Sequence, residues 1–572
     1  MDNQRLLVWA FFGLMLWLTY QAWLKDYAPA PAPQAVTGQA ELPATEPGVG
    51  EPLPELGEVP GDAADLPNLP AVSAGEQVAE PASAEGGEVI VVETNVAHYE
   101  ISTRGGTIIE ATMLGYPVAK DRPDELVELL SPTGANFGVL RTGLRSSTDA
   151  PTHEALFTAE RTRYQLGDRD EITVPLTWTD AAGVKVTKTY TFHRDRYAVD
   201  VEQQVTNGSS EPWVADQYSQ IIRRSFDQER SMFNVASYSY DGALFFDGKK
   251  AEKLDRGDLA EQPFTFTGPN GYVAAIQQHF LVATVPPPDS PFVYRVSVDG
   301  NRLTASTVGA RKTIEPGAFT TFSRTFFVGP KLQDQLEAIQ PKLKLTVDYG
   351  FLTILSQPMF WLLSWVHDFV GNWGWSIILV TLIIKLAFYK LTETSGRSMA
   401  KMRALQPRMK ALQERYKDDR QALSQHMMEL YKREKVNPAA GCLPILIQMP
   451  FFLAFYWVLV ESVEMRQAPF ALWITDLSSR DPYFILPLIM GAAMLLQQKL
   501  NPAPTDPVQA RVMQIMPIVF TGFFAFFPAG LVLYWVTNTI LSIAQQWKIN
   551  TVVEKETREQ KPRGKKSKSG DS

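Results

Sequence analysis

Apolar residues are gathered at the two ends of this chain, in the first 25 positions and roughly the last 220, and that unevenness decides what it can fold into. Between them the texture is that of an ordinary globular protein, so a single water-soluble globule is excluded. The whole-chain figures, 45% hydrophobic and 20% charged over 572 residues, hide this contrast. A net charge of -8 likewise sums an acidic linker and a basic tail. A lone cysteine, Cys442, excludes an internal disulfide framework and a cysteine-built metal centre, which need at least two thiolates. Six scattered histidines without an HExxH pair point away from a histidine metal site, so no metal or cofactor is expected.

Leu6 to Leu24 is apolar apart from Thr19, Tyr20 and Gln21, between Arg5 and Lys25. Its length exceeds the roughly 7 to 15 residues of a leader's apolar core, and Trp17, Tyr20 and Trp23 sit where interfacial aromatics belong. An uncleaved anchor over 1–27 is favoured, although the alanines and prolines after Tyr27 leave cleavage open. Residues 28–88 contain eleven prolines and no run long enough to bury, the composition of an extended spacer. No Lys or Arg occurs between Asp26 and Thr103, which places this linker on the outer side of the membrane and Met1 inside.

From Val89 to about Pro341 the hydrophobic period is two. Val184 to Arg194 and Tyr197 to Asn207 alternate around Asp195-Arg196 as hairpin strands do, and Asn207-Gly208 closes the second. Further strand-like runs are Ile172 to Thr179, Phe292 to Val298 and Thr320 to Val328. The expectation for 89–340 is a large antiparallel β-sandwich. Its histidines, His98, His153, His193 and His279, show no spacing that demands catalysis.

Beyond Pro341 come apolar runs at Phe351 to Val366, Trp375 to Leu391, Leu443 to Val460, Tyr483 to Leu496, Val512 to Phe527 and Leu531 to Ile543. Several fall short of the roughly 20 residues a bilayer needs. The loop from Thr392 to Ala440 holds eleven Lys and Arg against six acids and must be cytoplasmic. The first run, interrupted by Pro358, then reads as an interfacial amphipathic helix within 341–371. The other five form a core over 372–549, six spans with the anchor, and a basic tail over 550–572 falls on the same inner side.

Lys385 lies inside the run Trp375 to Leu391, where a charge costs roughly 2.5 to 3.5 kcal/mol on insertion scales. Lys390 marks the inner end, so a snorkelling stem is the plain alternative. Thr381 and Tyr389 share its helical face. Gln448, Gln497, Gln498, Gln514, Thr537, Asn538 and Ser542 supply further polar groups, and no Asp or Glu lies inside the five core runs. A proton or cation pathway would show intramembrane carboxylates. A hydrated positive cavity in the inner half of the bilayer is expected instead. The cytoplasmic segment at about 395–437 reads as a helical hairpin, with Met402, Leu405, Met409, Leu412 and Tyr416 at spacings of three and four and Pro407 kinking or restarting the first arm. Its surplus methionines, Met402, Met409 and Met427, with the basic Arg403 and Arg408, suggest a docking surface beside the seam.

Three long motifs, Lys435 to Pro450, Arg466 to Leu477 and Phe527 to Trp535, resemble the YidC membrane-protein insertases in their Gram-negative form, and the likeness covers nearly the whole chain. It implies an insertase and assembly chaperone, not an enzyme, that passes hydrophobic segments of nascent membrane proteins into lipid, alone or with the Sec translocon. The implied place is a bacterial inner membrane, with both termini cytoplasmic and the large domain periplasmic. The ribosome, the signal recognition particle receptor and membrane lipids are further implied partners; DNA is not. Family members carry a positive groove residue, usually arginine, at the position of Lys385, with Thr381, Gln448, Gln498, Tyr534 and Trp535 as groove neighbours. The family's β-domain resembles sugar-mutarotase sandwiches. A solute or anion transporter using Lys385 is the alternative, weakened by the absence of an evident internal repeat. No phosphate-binding loop is present, so no nucleotide is expected.

Overall fold

A computed structural model describes residues 87–134, 136–224, 239–416, 419–434, 436, 443–500 and 507–560. The expected N-terminal anchor, the linker, Cys442 and most of the basic tail lie outside the described residues.

The amino-terminal half folds as two packed β-sheets, of eleven and nine strands among the described residues. Val184–His193 and Ala198–Asn207 pair antiparallel in the expected hairpin, with Val199 opposite Phe192 and Val205 opposite Val186. Asp195 turns the chain at a positive φ of 58°, which a short polar side chain tolerates. Phe319–Pro330 closes on the other side of Ala198–Asn207. Among the described strands the pairing is antiparallel except between Val89–Glu93 and Arg163–Gln165, which run parallel. Alternation directs Val184, Val186, Tyr190 and Phe192 into the core, so burial of apolar area between the sheets holds the sandwich together. Two short helices, α1 (Arg256–Glu261) and α2 (Gln333–Ile339), belong to this half. A long hairpin, Thr107–Ala119 with Arg122–Leu130, extends from the first sheet.

The rest is helical: α3 (Thr353–Val370), α4 (Trp373–Ala387), α5 (Tyr389–Arg415), α6 (Arg420–Arg433), α7 (Leu443–Glu461), α8 (Ile485–Leu500), α9 (Pro507–Phe524) and α10 (Ala529–Gln560). Gly371 ends α3 in the left-handed conformation, and Asn372 caps α4 by accepting from the Trp375 amide at 3.1 Å. Helix α3 buries Met359, Leu363 and Val366 while leaving Ile354, Trp361, Trp365 and Phe369 exposed, so it carries an uncovered apolar face. Among the described residues no single helix is both long and apolar enough to cross a membrane; α4 and α5, bent by 70°, meet that test only together.

Three sequence expectations change. The run Trp375 to Leu391 is broken at Phe388, so α4 keeps only 15 residues, about 22 Å of helix. The first hairpin arm does not restart at Pro407, which lies inside α5. The last span and the start of the basic tail form one helix of 32 residues.

Candidate functional site

Helices α4, α7 and α10 meet around Lys385. Thr381 and Lys385 stand one turn apart on α4, and Tyr534, Asn538 and Ser542 stand one turn apart on α10. Gln448 and Phe451 come from α7, and Ile384 and Phe388 complete the lining. Lys385 is 8% exposed, too buried for a stem stretched towards headgroups. Its Nζ donates to Ser542 Oγ at 2.7 Å. Ser542 spends its own hydrogen on the Asn538 carbonyl at 2.6 Å, leaving lone pairs to accept from the ammonium. Among the described residues no carboxylate lines this pocket, so the cation faces a hydroxyl, amides and rings rather than a counter-charge.

Thr381 is buried and returns its hydroxyl to the Ile377 carbonyl at 2.6 Å. Tyr534 stacks on Phe455 with ring centres 4.7 Å apart, and Phe388 meets Phe451 edge-on at 5.3 Å. The pocket therefore gathers Lys385, Thr381, Gln448 and Tyr534. Gln498, on α8, and Trp535 do not line it; Trp535 packs in the aromatic layer of Phe452 and Phe524. Asn538 and Ser542 were legible as polar residues, and their positions four and eight residues after Tyr534 are the signal that joins them to the site. The pocket is also narrower than the chamber suggested by the sequence: it encloses about 10 Å³, room for about one water.

In the α5–α6 hairpin, Leu405, Met409, Leu430 and Val436 form a small core against which Met402 and Met427 pack. The three methionines proposed for docking thus belong to the seam between α5 and α6. Arg408 pairs with Glu434 at 2.7 Å, and Arg403 donates to the Leu500 carbonyl at 3.4 Å.

A family model described as the YidC periplasmic domain matches residues 89–362, and one described as the 60Kd inner membrane protein matches residues 365–556. The membrane protein insertase YidC of Nitrosococcus oceani is 46% identical over 565 residues, covering 97% of this chain and 100% of that relative. The chain belongs to the YidC family of membrane protein insertases. The YidC of Thioalkalivibrio sulfidiphilus is 47% identical over 572 residues, across 97% of this chain and 99% of that relative. A crystal structure of an active YidC insertase with its first transmembrane domain resolved is 20% identical, with a TM-score of 0.37 over 81% of this chain and 94% of that chain. The β-sandwich is accordingly the periplasmic domain of an inner-membrane insertase, the helical half is its membrane core, and nascent membrane proteins are its substrates.

Proposed function

We propose that this YidC insertase receives the polar flank of a nascent segment at the Lys385 pocket and releases the apolar part sideways into lipid. The observation that carries this reading is a buried ammonium whose hydrogen-bond partner is a hydroxyl, in a pocket where no described residue supplies a carboxylate. An acidic group on a substrate flank is the ligand such a cation lacks. Entry parts α4 from α10, and the incoming carboxylate replaces Ser542 on Lys385. The short α4 keeps the remaining crossing small, and transfer of the apolar segment contributes about 0.8 kcal/mol per methylene buried in lipid.

The reading includes five core spans plus the N-terminal anchor, α3 at the outer interface, cytoplasmic termini, and action alone or beside the Sec translocon. Ribosome and signal recognition particle receptor would meet the basic cytoplasmic hairpin, through Arg403, Arg408 and their neighbours rather than through the methionines. Lysine in place of the family's usual arginine keeps the charge and loses the bidentate fork, so a substrate carboxylate is held by a point charge. The reconstituted full chain should insert a small single-span protein with an acidic flank in the absence of ATP. Lys385→Ala should slow this at least about tenfold and Lys385→Arg should retain it; normal insertion by Lys385→Ala would overturn the reading. Solute flux through the same liposomes would favour the transporter alternative.

A further inference from the structure

The Lys385–Ser542 pair joins α4 to α10, and the first turns of both helices are held by the same outer loop, the one between α7 and α8. Asn372, the cap of α4, donates through Nδ2 to the carbonyls of Pro469 and Phe470 at 3.3 and 3.0 Å. A Cβ on Gly374 would lie 2.0 Å from the Phe470 ring, so the loop sits directly against the first turn of α4. At the other helix, the amides of Ala529 and Gly530 donate to Ser479 and Leu477 at 2.7 and 2.9 Å. The loop thus sets where the outer ends of both pocket helices stand.

What sets the loop is the β-domain. Arg466 donates through Nη2 to the carbonyls of Pro117 and Val118, at 2.7 and 3.0 Å, and lies over the Phe280 ring. Gln467 donates its side-chain amide to Pro117 at 3.0 Å. From the hairpin tip, Lys120 donates to the carbonyls of Gln467, at 3.1 Å, and Thr475. Gln467 itself has a φ of 59°, a left-handed conformation that a residue with a Cβ disfavours and that persists when its surroundings over-determine it. Of the groups that hold it there, the Pro117 carbonyl and Lys120 belong to the other domain.

We infer that the Thr107–Leu130 hairpin is a brace that fastens the outer loop and so keeps the outer end of the α4/α10 pocket shut, with Arg466 as its positioning residue. This rests on the pocket being the substrate groove. The brace acts on closure, because none of its members reaches Lys385 or its lining.

The test uses the full chain with Cys442→Ser and Thr381→Cys, in vesicles with the periplasmic side outward, and a membrane-impermeant maleimide as probe. Labelling from outside should be slow in this parent. It should rise at least about tenfold with Arg466→Ala, with the exposed tip change Lys120→Glu, or when residues 118–121 are replaced by two glycines. Adding Gln467→Gly to Arg466→Ala should restore most of the protection, since glycine holds a positive φ without outside help; a merely structural role for Arg466 predicts no such rescue. Outside labelling that stays at the parent rate in the shortened hairpin overturns the brace, as does failure of the rescue. Labelling of the parent from the cytoplasmic side reports the groove separately, so its failure counts against the groove and not the brace.

Discussion

At the scale of single residues, the β-domain contains an inward-facing cation that alternation alone would place there. Val184, Val186, Lys188, Tyr190 and Phe192 share one face, and Lys188 is fully buried, with Nζ donating to the carbonyls of Gly105 and Thr142 at 2.7 and 2.9 Å and lying over the Phe157 ring. Burial, with Arg324 adding to it, pushes its ammonium down to about 7. The unfolded chain keeps that proton to about pH 10, so between pH 7 and 10 the unfolded state binds more protons and stability rises with pH. The expected contribution is about 1.4 kcal/mol per pH unit for one proton. It should vanish from the thermal-unfolding profile of Lys188→Met, and an unchanged slope would refute it. Lys385 belongs to the same class of residue. Its place was legible because a charge in an apolar run is conspicuous, whereas Lys188 sits in a strand where threonines and lysines are ordinary. Its partner Ser542 was not legible, since nothing local to either residue encodes a contact across 157 positions.

At the scale of elements, period and punctuation were informative where the cause is local. The hairpin turn read at Asp195-Arg196 follows from backbone chemistry within a few residues, and the stop at Gly371 and the cap at Asn372 seen in the fold have equally local causes. The break at Phe388 was missed because Phe388 and Tyr389 carry no turn signal, and the unbroken α5 because Pro407 ordinarily interrupts a helix. Close helix packing is equally silent until neighbours are known. A Cβ on Gly491 of α8 would meet Thr521 Oγ1 of α9 at 2.1 Å, and that hydroxyl is already committed to the Pro517 carbonyl. Gly522, one residue on, has nothing within 4 Å. Gly491→Val should therefore force the helices apart and cost about 1 to 3 kcal/mol. Gly522→Ala should be neutral or stabilising by up to about 1 kcal/mol. Denaturant titrations of the detergent-solubilised protein read both, and equal effects at the two glycines would show that the approach of α8 and α9 is not tight.

At the scale of the whole molecule, a water-soluble sandwich and a lipid-facing helical core, each recognisable from its own hydrophobic period, are joined by polar contacts that no period records. Besides the hairpin at Arg466, Lys331 and Glu461, 1% and 3% exposed, lie 4.0 Å apart, and Ser239 donates to Glu461 at 2.6 Å. Gln278 donates to the Val460 carbonyl at 3.0 Å, and Tyr349 meets Ser462 at 3.3 Å. Burial pushes the Lys331 ammonium down to about 8, with Glu461 opposing that shift. Two charges enclosed this completely contribute little net stability as a pair, yet breaking the pair leaves an uncompensated ion. Lys331→Met should thus destabilise the junction by about 3 to 5 kcal/mol through the stranded Glu461 carboxylate. Adding Glu461→Gln, which removes that charge and keeps an acceptor for Ser239, should recover much of the loss. Amide exchange across 458–466 in the full chain measures both. If Lys331→Met and the double variant exchange at the same rate, the junction is held by its neutral hydrogen bonds alone and the ion pair is incidental to it.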